Sequence, residues 1–279
     1  MLAALPQPPI HAVMPKTAQA LFTVFIFAPL GAMLVYAVRR AARNRDPVML
    51  LCIAGGALAI AFEPIVDVMG LCFFPRTNQW VAFEAFGRAI PLFIVFVYPW
   101  FVGGQGYIAY RVFAKGTDRR GVFGLWGAFA IANVFLESPG ILAHVYSYYG
   151  RQPLNPWGFP LWWAFVNPVM PVVLGALVFK LLPRLGSGWG LIAIIPLVPM
   201  ADGLANGATA WPVWVTLNTE LSVLWTTLAA FASLALALYV TWIISVAVAS
   251  PRSTTALTAE PAGQARRTPA EDLAPAVRK

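Results

Sequence analysis

Three apolar stretches of this sequence each carry two polar residues four positions apart: Glu63 with Asp67, Asn133 with Glu137, and Asp202 with Asn206. A spacing of four puts both members of a pair on one helix face. At helical rise, Glu63, Glu137 and Asp202 fall about 20–24 Å from one end of their stretches, hence at matched depth, and Asn167 descends to a similar level from the opposite side. Ionisable groups are expensive inside hydrocarbon and mark functional sites there. No lysine or arginine shares this depth in the three stretches. A carboxyl held in its protonated form is competent as a general acid, and a neighbouring carboxylate as the base that takes a proton back. Glu63, Asp67, Glu137 and Asp202 are therefore the candidate catalytic residues. Pro64, Pro139 and Pro199 stand beside the acids. They predict a loosened backbone, whose freed carbonyls are tolerated where they line a cavity.

Asn133, Asn167 and Asn206 are candidates to bind a substrate, together with Tyr98, Phe62, Trp162, Trp163 and Trp225. Aromatic faces attract cations, so such walls suit a developing carbocation or a flat apolar ligand. Trp80, Trp157, Trp211 and Trp214 read instead as the aromatic belt of a membrane interface, whereas Trp162, Trp163 and Trp225 are expected deeper. Arg88 follows Glu84 by four residues and is expected to pair with it. Gly103, Gly104 and Gly106 predict close helix packing. An acid-rich Asp-Asp-x-x-Asp motif and a basic phosphate grip are both missing, which argues against magnesium-assisted ionisation of a diphosphate. No histidine cluster suggests a metal, His144 reads as a loop histidine, and no cofactor is expected. The last apolar stretch has no lysine for a retinal Schiff base.

These residues need elements to hold them. Of 279 residues 59% are hydrophobic and 11% charged, against roughly 25% charged in soluble domains. Seven apolar runs are long enough to span a bilayer, at about 18–38, 48–72, 89–113, 122–146, 159–182, 189–209 and 221–248. The expected fold is an all-α polytopic bundle of seven transmembrane helices over residues 1–249. A Pro-, Ala- and charge-rich segment, 250–279, reads as a disordered tail. Fifteen of the nineteen basic residues fall in alternate loops or the tail; Lys16, Arg76, Arg88 and Arg151 are the exceptions. The positive-inside rule then puts the N-terminus outside and the tail in the cytoplasm, for a multi-pass protein of the plasma membrane. The net charge of +8 is accounted for by this asymmetry, so no nucleic-acid partner is expected.

An internal repeat orders the helices. Residues 90–99, from Ile90 to Pro99, align without gaps to 159–168, from Phe159 to Pro168, with Pro91 matching Pro160 and Pro99 matching Pro168. Upstream, Phe73-Phe74-Pro75-Arg76 echoes Tyr148-Tyr149-Gly150-Arg151, and Phe62-Glu63-Pro64 echoes Leu136-Glu137-Ser138-Pro139. The seven helices thus parse as one leader plus three hairpins of like orientation, a parallel repeat. The third copy carries Asp202 as its acid and Pro212-Val213-Trp214 as its returning opening.

A small seven-helix membrane protein with few charges, buried acids at Glu63 and Asp202 and many tryptophans resembles the integral membrane terpene cyclases of meroterpenoid and indole-terpenoid pathways. The resemblance covers helices 2 to 7 in architecture and rests on no motif shared letter by letter. It implies that two membrane-embedded acids, here Glu63 and Asp202, protonate an epoxide or alkene so that the chain cyclises. The expected function is a cyclase or isomerase, with lyase-type proton loss, acting on a hydrophobic isoprenoid in terpenoid or carotenoid metabolism. A proton-coupled transporter or a lipid-binding membrane protein would use the same carboxylates.

Overall fold

Seven apolar runs become seven helices long and apolar enough to cross a membrane: α1 (Lys16–Asn44), α2 (Val48–Gly70), α3 (Leu92–Ala114), α4 (Arg119–Leu142), α5 (Leu161–Leu185), α6 (Gly188–Thr209) and, after a short helix α7 (Trp211–Leu217), α8 (Val223–Val248). This makes the chain a multi-pass membrane protein. The structure, a computed structural model, describes residues 6–249. The expected tail, 250–279, lies outside the described residues.

Helix ends differ from the predicted ones for local reasons. α1 runs past residue 38 to Asn44, carrying arginines in its last turns, where cations complement the helix dipole. It stops where Arg45 turns left-handed at φ 54°. Arg40 then pairs with Asp46 at 2.8 Å, and Asp46 accepts from the Val48 amide at 3.1 Å, opening α2. α4 starts early because Asp118 caps it, accepting from the Gly121 amide at 2.8 Å. It ends four residues early because His144 adopts φ 55°, which releases Tyr146 from the helix.

The aligned segments share their irregularities. Pro91 and Pro160 are both extended residues capping the start of a helix, as proline's fixed φ and missing N–H allow. Pro99 opens a wide π turn, Pro99–Gly104, within α3; Asn167 and Pro168 interrupt α5. Pro64 follows a tightened 3-10 turn, Ile60–Phe62. Contrary to expectation, Pro139 and Pro199 lie within unbroken helices. Pro212 also departs from the predicted pattern: it opens α7, and the seventh span begins only at Val223 after Ser222.

α3 is the central helix. Of its most apolar window 78% is buried, against 22% in α1. It packs on α1, α2 and α5, while α6 leans on α2 and α5 and α8 closes the bundle against α4, α5, α6 and α7. Glycines permit the tightest approach: a β-carbon at Gly56 would lie 2.6 Å from the Pro99 Cα, one at Gly103 would strike the Cys52 carbonyl, and one at Gly106 the Leu174 side chain. α1 and α8 turn Leu21, Val24, Phe25, Phe231 and Leu238 outward, as lipid-facing helices do.

A roof covers one end of the bundle. β1 (Cys72–Phe73) pairs antiparallel with β4 (Ser147–Tyr148), Cys72 opposite Tyr148, and the Tyr149 amide donates to the Leu71 carbonyl at 2.9 Å. β2 (Val81–Ala85) and β3 (Arg88–Pro91) form a hairpin. Its turn, Phe86-Gly87, has both φ values positive, the geometry that two-residue hairpins favour. The segment before α1 is tied to this roof through Met14, whose amide donates to the Thr77 carbonyl at 2.9 Å, and the start of α1 through Gln19, which accepts from the Trp80 amide at 2.8 Å.

Candidate active site

Beneath the roof lies a cavity of about 80 Å³, walled by α1 to α6 and the β1–β4 ladder. Glu63 and Asp67 project into it from one face of α2, Glu137 from α4, Tyr98 from α3, Asn167 and Met170 from the interruption in α5, and Asn206 from α6. Glu63, Asp67 and Glu137 therefore share one space, whereas Asp202, expected at the same depth, is not among its lining residues. No lysine or arginine lines it.

Each carboxyl has a different set of donors. The Tyr98 hydroxyl donates to Glu63 Oε2 at 2.6 Å. Glu137 is the most engaged: Tyr146 and Tyr148 donate to its Oε2 at 2.8 and 3.3 Å, and Asn133 Nδ2 to its Oε1 at 3.4 Å. Burial first, and then the neighbouring Glu137 charge, push both phenols well above the ordinary tyrosine range, so Tyr146 and Tyr148 persist as O–H donors. Asp67 borders Cys72, whose buried thiol is likewise pushed up and stays protonated, and its Oδ2 has no protein partner. A buried polar atom without a partner costs about 1–3 kcal/mol. The bare oxygens of Asp67 and Asn206 and the free indole N–H of Trp163 all belong to cavity-lining residues, and a bound molecule can satisfy them.

Several predicted residues stand elsewhere. Asp202 does not line the cavity: it is fully buried behind Asn206, whose Nδ2 donates to it at 2.8 Å. Asn206, one turn further along the same face, lines the cavity instead. Asn133 is also fully buried behind the wall, linking Glu137 to Asn167, whose Nδ2 donates to Asn133 Oδ1 at 3.2 Å. Trp162 is a supporting ring, stacked on Trp163 at 4.0 Å. Phe62 is half-buried outside the lining. Trp225 was expected deep but lies in the first turn of α8, 56% exposed. Trp214 was expected in the interfacial belt but is buried against Trp163 at 6.3 Å. Of the predicted binding residues, Tyr98, Asn167, Asn206 and Trp163 line the space.

The expected Glu84–Arg88 pair does not form. Residues 81–91 are a hairpin rather than a helix, so Glu84 meets Arg76 at 2.6 Å on the surface. Arg88 instead donates to the Tyr149 hydroxyl at 2.6 Å and lies over Phe73. It is within electrostatic reach of Asp67 but is held in the roof. Sequence reasoning also missed Phe22, Cys72 and Met170 as lining residues. Phe22 comes from the leader helix, which carries none of the predicted acids, whereas Met170 lies one turn after the predicted Asn167 and that spacing could have found it.

No family model, curated protein or solved structure matches this chain.

Proposed function

We propose that the protein is an acid-initiated cyclase or isomerase of a lipid-soluble isoprenoid. The observation that carries this reading is the grouping of Glu63, Asp67 and Glu137 around one cation-free cavity walled by Phe22, Phe74, Tyr98, Phe101 and Trp163. The cavity, of about 80 Å³, receives the reacting end of the chain.

In the proposed mechanism the Glu63–Asp67 pair, two carboxyls on one helix face, supplies the starting proton to a terminal alkene carbon, or to the oxygen of an epoxide. Tyr98 orients Glu63, while the bare Asp67 oxygen meets the substrate. The C=C electron pair takes the proton, the resulting cation is attacked by a second double bond, and aromatic faces stabilise the moving charge. Glu137, held by three side-chain donors, accepts the proton lost from the carbon next to the final cation; after product release it gives that proton to solvent, and the donor carboxyl takes one from solvent. A new C=C bond forms and the product is an isomer of the substrate. Asp202 holds Asn206 in position rather than delivering the proton. Exclusion of water protects the cation from capture.

The purified protein in detergent is expected to convert an open-chain polyprenyl alkene or epoxide into a cyclic or double-bond isomer of unchanged mass, read by gas chromatography and mass spectrometry. Absence of any product, with uptake of a solute into sealed vesicles driven by a pH gradient, would replace the enzyme by a carrier.

The one-plus-three-hairpins repeat and an orientation with the N-terminus outside, the arginine-rich end in the cytoplasm and the plasma membrane as location belong to the same proposal. They are supported by the like-placed prolines of α3 and α5 and by the basic loops. Cysteines introduced at Thr77 and Thr117 are expected to react with an impermeant maleimide from opposite faces of intact cells. Cys52 and Cys72 are both buried, so background labelling is low. Reaction of both sites from one face would overturn the orientation.

A further inference from the structure

We infer that the groove between α1 and α3 at the arginine-rich end of the bundle binds one anionic phospholipid. The groove has a volume of about 480 Å³ and is separate from the carboxyl cavity. Its apolar wall is formed by Met33 and Tyr36 of α1 and by Ile108 and Val112 of α3, and its rim carries Arg111 and Lys115. Tyr36 is 51% and Ile108 37% exposed, so the wall opens outward, where the bilayer surrounds the bundle.

Charge decides which lipid fits. Arg111 and Lys115 are four residues apart and therefore on one face. Arg111 and Lys115 take no part in the ion pairs Arg40–Asp46 and Arg76–Glu84. Asp46, within electrostatic reach of Tyr107 in this groove, is engaged by Arg40 at 2.8 Å. Arg111 donates to the Tyr107 hydroxyl at 3.2 Å and lies over that ring, 6.0 Å from its centroid, which fixes the guanidinium at the rim with donors to spare. A phosphate diester reaches both cations while an acyl chain lies along Ile108, Met33 and Tyr36. Basic pockets between helices at this level of a bundle bind anionic headgroups. Inorganic phosphate would find the cations but would leave the apolar wall unfilled, so the occupant is a lipid.

Native mass spectrometry of the full chain tests this, with phosphatidylglycerol and phosphatidylcholine of identical acyl chains offered in equal amounts. Each basic residue near the membrane surface is worth about five-fold in affinity for anionic lipid. The wild type is therefore expected to retain phosphatidylglycerol by roughly twenty-five-fold over phosphatidylcholine. Arg111→Gln with Lys115→Gln is expected to remove that preference. Lys115→Gln alone, a change at an exposed position, is expected to lose about five-fold of it without affecting folding. Inorganic phosphate is expected to leave the bound lipid in place. Equal retention of the two lipids, an unchanged preference in both variants, displacement by inorganic phosphate, or a dimer that excludes lipid would each overturn the inference.

Discussion

Replacement of Glu63 by glutamine is expected to abolish turnover, by about 10²–10⁴-fold, the usual contribution of a general acid, while leaving the protein folded. The amide is nearly isosteric and its carbonyl still accepts from the Tyr98 hydroxyl, which now lies 2.6 Å from the carboxylate. It cannot supply a proton. A residue that merely ties α2 to α3 would behave in the opposite way: the glutamine variant would keep its activity, and removing a buried ionisable group can be neutral or stabilising. Thermal unfolding in detergent separates the two. A melting point within a few degrees of wild type, with turnover lost, supports the acid role. Asp67→Asn is expected to resemble it, since the bare Asp67 oxygen faces the same space. Asp202→Asn is expected to keep measurable turnover, because Asp202 acts through Asn206. Full activity in both the Glu63→Gln and Asp67→Asn variants would move the proton donor out of this cavity.

The second large effect is on folding. Gly103→Leu is expected to prevent assembly of the bundle, because the added β-carbon meets the backbone of Cys52 and Ile53, with no flexible side chain to yield. Overpacking in a close-packed interior costs about 1–3 kcal/mol when neighbours can shift and more when they cannot. Here two helix backbones must separate, so a loss of at least about 3 kcal/mol is expected. The same separation would draw Tyr98 away from Glu63, since Gly56 lies against Tyr98 and Pro99 at this contact. Size-exclusion chromatography after solubilisation is expected to give aggregate for Gly103→Leu and a single monodisperse peak for Gly207→Leu, where a β-carbon meets nothing within 4 Å. Equal behaviour of the two variants would show that the glycine contact does not hold α2 and α3 together.

The seven spans were legible because about twenty consecutive apolar residues have few other fates, and the acids were legible because each interrupts such a run. Two of the three same-face pairs are also bonded internally: Asn133 donates to Glu137 and Asn206 to Asp202. What the spacing could not give was which of two residues on one face reaches the cavity, since that depends on how the helices pack together. Asp202 and Asn206 lie on one side of α6, yet only Asn206 reaches the cavity. The roof was hidden for a related reason. Pairing of Cys72 with Tyr148 joins residues far apart in sequence, and it is this ladder that brings the Tyr148 hydroxyl to Glu137. Reading Glu84 and Arg88 as helical neighbours failed because residues 81–91 alternate as a hairpin, where a separation of four does not mean adjacency. Trp225 was read as deep, whereas α8 starts at Val223 and holds the ring in its first turn.

The most direct test of acid initiation is turnover of a polyprenyl alkene by the purified wild type in D₂O, followed by mass spectrometry and NMR of the product. The expected result is an isomer carrying one deuterium bound to carbon at the former terminal alkene, where the first proton is delivered, and no such product from Glu63→Gln. A cyclic product without carbon-bound deuterium, or equal deuterium incorporation by wild type and Glu63→Gln, would contradict proton delivery from this carboxyl cluster.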